Sequence, residues 1–232
     1  MAFLIQVLTG MFLGIVFGLV LGSEHVDFIN TWVVPVGTIF LRMIKIMVIP
    51  LIVSSLILGV HGLGDISKFG RIGGKTFVLY VFTTIFAIFL GIAVGEIFKP
   101  GLGITLQSTE QVVIKELPSF SEMIIEVFPY NPIRSMMEEN MLQLIIFSIS
   151  VGVGAITCGE KVNLVIDVAK KISQVSYKVI GSIMKAAPVG VFCLIAPVAA
   201  TNGADVFMPL IGVLACYYGA LFFHWTFVYG GL

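Results

Sequence analysis

Apolar residues run through this chain in long blocks, and the polar ones are gathered between them. Phe3 to Gly22 is interrupted only by Gln6 and Thr9; at about 1.5 Å per residue such a block crosses roughly 30 Å of hydrocarbon. Ser23 to Asn30, carrying Glu24, His25 and Asp27, reads as a turn. Thr31 to His61 predicts one long helix that must tilt or protrude, and Thr76 to about Phe98 a third span. Between them Gly62 to Lys75 reads as a basic loop, with Lys68, Arg71 and Lys75 against Asp65 alone. Lys99-Pro-Gly-Leu-Gly103 is a breaker cluster, and the stretch to Pro118 reads as an exterior loop.

The second half is less regular. Glu122 to Val127 predicts a short amphipathic helix stopped by Phe128-Pro-Tyr-Asn-Pro132, and Met141 to Thr157 a span, so Pro118 to Thr157 reads as one broken element. From Glu160 to Lys185 apolar residues recur at the helical period while lysines fill other positions. This pattern flows into the apolar Ala186 to Ala200, predicting a single proline-adjusted helix over Val162 to Ala200. Thr201 to Asp205 turns the chain, and Val206 to Tyr229 is a last span whose His224, Trp225 and Tyr229 suit the membrane interface.

Composition agrees. Hydrophobic residues make up 58% and charged ones 11%, where a soluble domain carries about 25% charged. The chain is therefore read as an all-α membrane protein of six long, tilted transmembrane helices. Zero net charge and the lack of a basic tail give no sign of nucleic-acid binding. Cys158, Cys193 and Cys216 are isolated, without metal-ligand spacing, and read as reduced packing residues. The opening block lacks a basic leader and reads as a retained helix. Glu138-Glu139, and His61 with Asp65, lack the nucleophile-and-base arrangement of an enzyme and read as solvated charge.

Six crossings put both termini, the Lys68 to Arg71 segment and the Glu160 to Lys171 segment on one side, which the lysine and arginine excess marks as cytoplasmic. A short echo, Lys45, Pro50, Gly64, Asp65 and then Lys185, Pro188, Gly203, Asp205, falls three spans apart. Copies so placed are inverted, which suggests two inverted three-helix repeats of the transporter kind.

Four groups of residues stand out. Gly10, Gly14, Gly18 and Gly22 lie along one side of the first span, where another backbone can approach closely. Arg42 and Lys45 enter an apolar helix ahead of Pro50, either to reach the lipid interface or to meet a polar protein surface. Tyr80, Thr83 and Thr84 place three oxygens on one face of the third span, although hydroxyls in lipid commonly bond back to their own helix. Ser54 and Ser55 follow Pro50 in the second span.

Phe40-Leu-Arg-Met-Ile-Lys with Pro50, Ser54 and Ser55, then Leu63-Gly-Asp with Lys68, Gly70, Arg71 and Gly73, resembles the signature of the dicarboxylate/amino acid:cation symporters, the glutamate transporter family. The spaced glycines, Pro129-Tyr-Asn-Pro132 and Ala187-Pro-Val-Gly-Val-Phe192 resemble it as well. The resemblance implies a homotrimer in the inner membrane and divides the chain into four parts. Residues 1–62 are the first two scaffold spans, and 63–98 the cytoplasmic loop and third span, part of a mobile domain. Residues 99–200 hold the exterior loop, the broken fourth span and the fifth span, with trimer contacts; 201–232 are the sixth span, again mobile.

The same resemblance implies that Tyr80, Thr83 and Thr84 form part of a sodium site, with the proton as the alternative coupling ion and no other cofactor. It implies that Ser55 lies on an anion path and makes Arg42, Lys45 and Pro50 candidates for the scaffold and mobile-domain boundary. The family's two re-entrant hairpins and last two spans, with the Asn-Met-Asp-Gly-Thr motif and the substrate-reading arginine or aspartate, are not found in these 232 residues. The expected function is thus cation-coupled symport of a dicarboxylate or amino acid, to which this chain contributes the trimer scaffold and part of the mobile domain. The alternative is a membrane scaffold or partner-binding protein that transports nothing.

Overall fold

The apolar blocks fold into helices. The computed structural model describes residues 2–100, 119–204 and 207–231, and all elements among them are helical. In chain order they are α1 (Ala2–Leu21), α2 (Val34–His61), α3 (Ile66–Phe98), α4 (Phe120–Val127), α5 (Pro132–Met137), α6 (Met141–Cys158), α7 (Asn163–Ile183), α8 (Ala187–Asn202) and α9 (Phe207–His224). The expected exterior loop lies almost wholly outside the described residues, as does Asp205 of the echo.

Two boundaries differ from the sequence reading. The supposed turn at Ser23 to Asn30 is helical, passing through a tight 3-10 turn, one α turn and a wide π turn at Ile29–Val33 before α2. Nothing between Gly22 and Pro35 can stop a helix, and Pro35 falls in the first turn of α2, where its missing N–H costs little. The basic loop is also helical from Ile66 onward. Asp65 caps it, its carboxylate accepting from the Ser67 N–H at 2.7 Å, and Gly70, Gly73 and Gly74 ride within the helix. Lys68, Arg71 and Lys75 therefore stand exposed on one face of the first turns of α3. The glycines suggest a loop by propensity, but a helix continuing into a span carries them readily.

Among the described residues five stretches are long and apolar enough to cross a membrane, the fourth being the 62 residues Met141–Asn202. At 1.5 Å per residue that is about 93 Å, three times the hydrocarbon thickness. Gly159 divides it, with φ 61° and ψ −141°, a conformation open to glycine and costly for other residues. Beyond it α7 and α8 form the expected long helix, joined by a 3-10 turn at Met184–Ala186 just before Pro188.

Packing is built on small residues. Gly10, Gly14 and Gly18 meet the backbone of Pro188, Phe192 and Ala196 in turn, so α1 and α8 run parallel. Gly22 and Gly203 end these two helices with nearly the same angles, φ 63°, ψ −170° and φ 68°, ψ −164°. On α6, Leu144, Ser148, Gly152 and Ala155 are buried at intervals of three and four. Gly152 meets Val60 and Ile57 of α2, and α6 and α2 are also parallel, since Lys45 stands beside Glu139 at their other ends. The antiparallel crossing of α2 with α7 and α8 is the centre of the core: Gly190 receives the ring of Phe40, which packs with Ile183, Ala187 and Leu194.

α3 and α9 stand apart from this group and pack mainly on each other, antiparallel. Their most apolar stretches are 6% and 0% buried, against 17% for α1 and 22% for the α6 to α8 run.

Candidate functional site

The residues singled out in the sequence fall in two separate places. Arg42, Lys45, Pro50 and Ser55 lie on α2; Tyr80, Thr83 and Thr84 lie on α3. Among the described residues no hydrogen bond or ion pair joins the two sets.

On α3 the helical spacing puts the three oxygens toward one face, but their surroundings differ. Thr83 is buried at 3% exposure, Tyr80 is 64% exposed and Thr84 is exposed. The Thr83 hydroxyl donates to the Tyr80 carbonyl at 3.1 Å. A hydroxyl has one proton and two lone pairs, so spending the proton within the helix leaves the oxygen free to accept, which is the state a cation ligand needs. Hard, uncharged oxygens of this sort suit a hard cation. All three come from one side, and an ion held there takes its remaining oxygens from elsewhere.

On α2, Pro50 interrupts the hydrogen-bond ladder within a span, and the two serines that follow turn inward on the same helix. Ser54, buried, donates to the Pro50 carbonyl at 2.6 Å, and half-buried Ser55 donates to the Ile52 carbonyl at 3.1 Å. Lys45 reaches Glu139, 2.9 Å away at the entrance to α6. Both side chains remain largely exposed, so the pair leaves open the two readings offered for Lys45. Arg42 is exposed and has no ion pair among the described residues.

Sequence reasoning missed three features. Glu138 and Glu139 are solvated as read, about half exposed, but the reading did not foresee that both are paired, Glu138 with Arg134 at 2.7 Å. The broken element is stitched by Gln143, whose amide donates to the Glu126 carbonyl at 2.8 Å and accepts from buried Ser135 at 2.6 Å. The clue was the run of caps, Ser119, Asn131 and Asn140, each of which accepts from a backbone N–H of the helix it opens. His224 lies against the rings of Phe86 and Tyr229, at 5.8 and 5.3 Å, and so helps seat α9 on α3.

Comparison with known proteins decides what these helices belong to. The sequence pattern of the sodium:dicarboxylate symporter family matches residues 3–232. The chain belongs to that family. Among its relatives are the proton/sodium-glutamate symport protein of Geobacillus stearothermophilus, 34% identical over 98% of this chain and 56% of the relative. The proton/glutamate-aspartate symporter of Escherichia coli (strain K12) is 36% identical over 94% of this chain and 54% of its own length. The C4-dicarboxylate transport protein of Bacillus subtilis (strain 168) is 32% identical over 94% and 52%. The chain thus spans about half the length of the curated relatives it matches. Sodium:dicarboxylate symporters are transporters, which accords with the lack of enzyme-like pairs in the sequence.

Proposed function

We propose that this chain supplies the trimeric scaffold and part of the mobile domain of a cation-coupled symporter for dicarboxylates or acidic amino acids. The family match along nearly the whole chain carries the proposal, since the relatives it brings are named for glutamate, aspartate and C4-dicarboxylate. The division of labour is supported by the packing. α1, α2 and α6 to α8 hold one another through buried small residues, whereas α3 and α9 are seated mainly on each other. A pair so lightly held can move against the rest without breaking a core.

Two inverted triplets are supported by the same contacts. α1 lies along α8 as α6 lies along α2, both pairs parallel, and exchanging the halves of the chain exchanges these pairs. The end that carries Lys68, Arg71 and Lys75 on α3 and Lys161, Lys170 and Lys171 at the start of α7 faces the cytoplasm of a bacterial-type inner membrane, together with both termini. Tyr80, Thr83 and Thr84 contribute oxygens to the coupling cation, sodium in this reading, and Ser55 borders an anion path. Arg42, Lys45 and Pro50 mark the scaffold edge facing the mobile pair.

Uptake tests this reading. Proteoliposomes holding this chain together with a polypeptide carrying the remaining half of the Geobacillus relative should accumulate labelled glutamate, aspartate or succinate when an inward sodium gradient is applied. The chain by itself should not. Accumulation by the chain alone would show that the substrate site lies within these residues, and a co-assembled pair that moves none of these substrates would refute the symport reading.

A further inference from the structure

The transport reading leaves unused an open groove of about 520 Å³ between α1 and α8, a volume typical of small-ligand sites. Ile5, Leu13, Pro188, Val189 and Phe192 give it apolar walls. Gly10 meets Pro188 and Gly14 meets Phe192, so the register places Gln6 and Lys185 together at one end. Thr9 also lines the groove, but its hydroxyl is spent on the Ile5 carbonyl at 2.8 Å. The polar groups on offer are therefore the Gln6 amide and the Lys185 ammonium. Lys185 is exposed and has no ion pair among the described residues.

The surroundings identify the ligand class. Past Gln6, α1 is apolar but for Thr9, and from Ala186 the sequence is apolar to Ala200. The Gln6 and Lys185 end thus sits where hydrocarbon gives way to headgroups, while the groove extends toward the hydrocarbon. Lys171, Lys178 and Lys185 recur every seven residues, two helical turns, and form a column of positive charge leading to the mouth. A molecule that fits both ends has a negative head and an apolar tail.

We propose that this groove binds an anionic phospholipid of the surrounding leaflet, its phosphate held by Lys185 and the Gln6 amide and an acyl chain laid against Pro188, Val189 and Phe192. Basic pockets between membrane helices take up such headgroups, and here the lipid fills the seam of the α1 and α8 pair.

The test is native mass spectrometry of the purified chain titrated with phosphatidylglycerol or phosphatidylcholine. Phosphatidylglycerol should bind more tightly. Lys185→Gln should weaken it about fivefold, the worth of one lysine near a headgroup, and leave phosphatidylcholine unchanged. Val189→Trp fills the groove while keeping the lysine and should weaken both lipids. Both side chains are exposed, so neither change disturbs the helix packing. Equal affinity for the two lipids, or phosphatidylglycerol binding untouched by Lys185→Gln, overturns the headgroup assignment. Binding untouched by Val189→Trp overturns the groove and leaves the lysine column as a general charge attraction.

Discussion

At the scale of single residues, glycine does two different jobs on the same helix, and α6 shows both. A side chain at Gly152 would come within 2.7 Å of Val60 Cβ, whereas one at Gly154 would meet nothing within 4 Å. Gly152→Ala should therefore cost about 1–3 kcal/mol through overpacking. Gly154→Ala should be neutral or stabilise by up to about 1 kcal/mol, the helix-propensity gain. Unfolding of both variants in mixed detergent checks this, and equal effects would mean that α6 does not rest on α2 as described. The Lys45 to Glu139 pair belongs to the same scale. Its side chains are 63% and 47% exposed, so solvent screening leaves it little energy. A double-mutant cycle with Lys45→Ala and Glu139→Ala should return a coupling below about 1 kcal/mol, and a larger value would show the pair to be shielded in the assembled protein. Neither the pair nor the Gln143 stitch was legible in the sequence, because their partners are joined by tertiary folding rather than by any local period. The glycine face of α1 was legible for Gly10, Gly14 and Gly18, because a four-residue interval repeats in register, whereas Gly22, expected on the same face, meets nothing within 4 Å and ends the helix instead.

At the scale of elements, a membrane helix is set less by propensity than by what stops it. The spans were legible where an apolar block met a strong breaker, as at Gly22 and Gly203. The start of α3 was missed because Gly70, Gly73 and Gly74 suggest a loop, while the capping aspartate at residue 65 starts a helix that then runs on into the apolar block. The helical turns from Ser23 to Val33 were read as a plain turn for a related reason: polar residues alone do not end a helix when no proline or glycine stands among them. Gly159 is the opposite case, a single residue that turns one apolar run into two spans. Gly159→Ala should destabilise by about 1–3 kcal/mol, since the conformation is nearly restricted to glycine. Chemical unfolding reads it, and an unaffected variant would show that α6 and α7 do not need this bend. On α3, Thr83→Val should leave helicity unchanged, because the bond it removes lies within the helix. It should also reduce the sodium dependence of uptake by the co-assembled protein, and an unchanged sodium dependence would remove Thr83 from the cation site.

At the scale of the whole molecule, the resemblance read from the sequence and the family match agree, and the packing adds what neither contained. Buried small residues tie α1, α2 and α6 to α8 into one unit, and α3 with α9 forms a second, lightly attached one. If the first unit is the proposed scaffold, it must be stable as an assembly while the attached pair is free to move. The apolar surface left on α2 and the turn before it, including exposed Trp32, Ile39 and Ile46, faces either lipid or further copies of the chain, and the scaffold reading requires that part of it meet copies. The decisive measurement is the mass of the purified chain in mild detergent by light scattering, after correction for bound detergent and with brief crosslinking in the native membrane as a control. Three chains per particle is the predicted result. A single chain per particle in both detergent and membrane would contradict the account, since a scaffold that does not assemble cannot hold a moving pair in place.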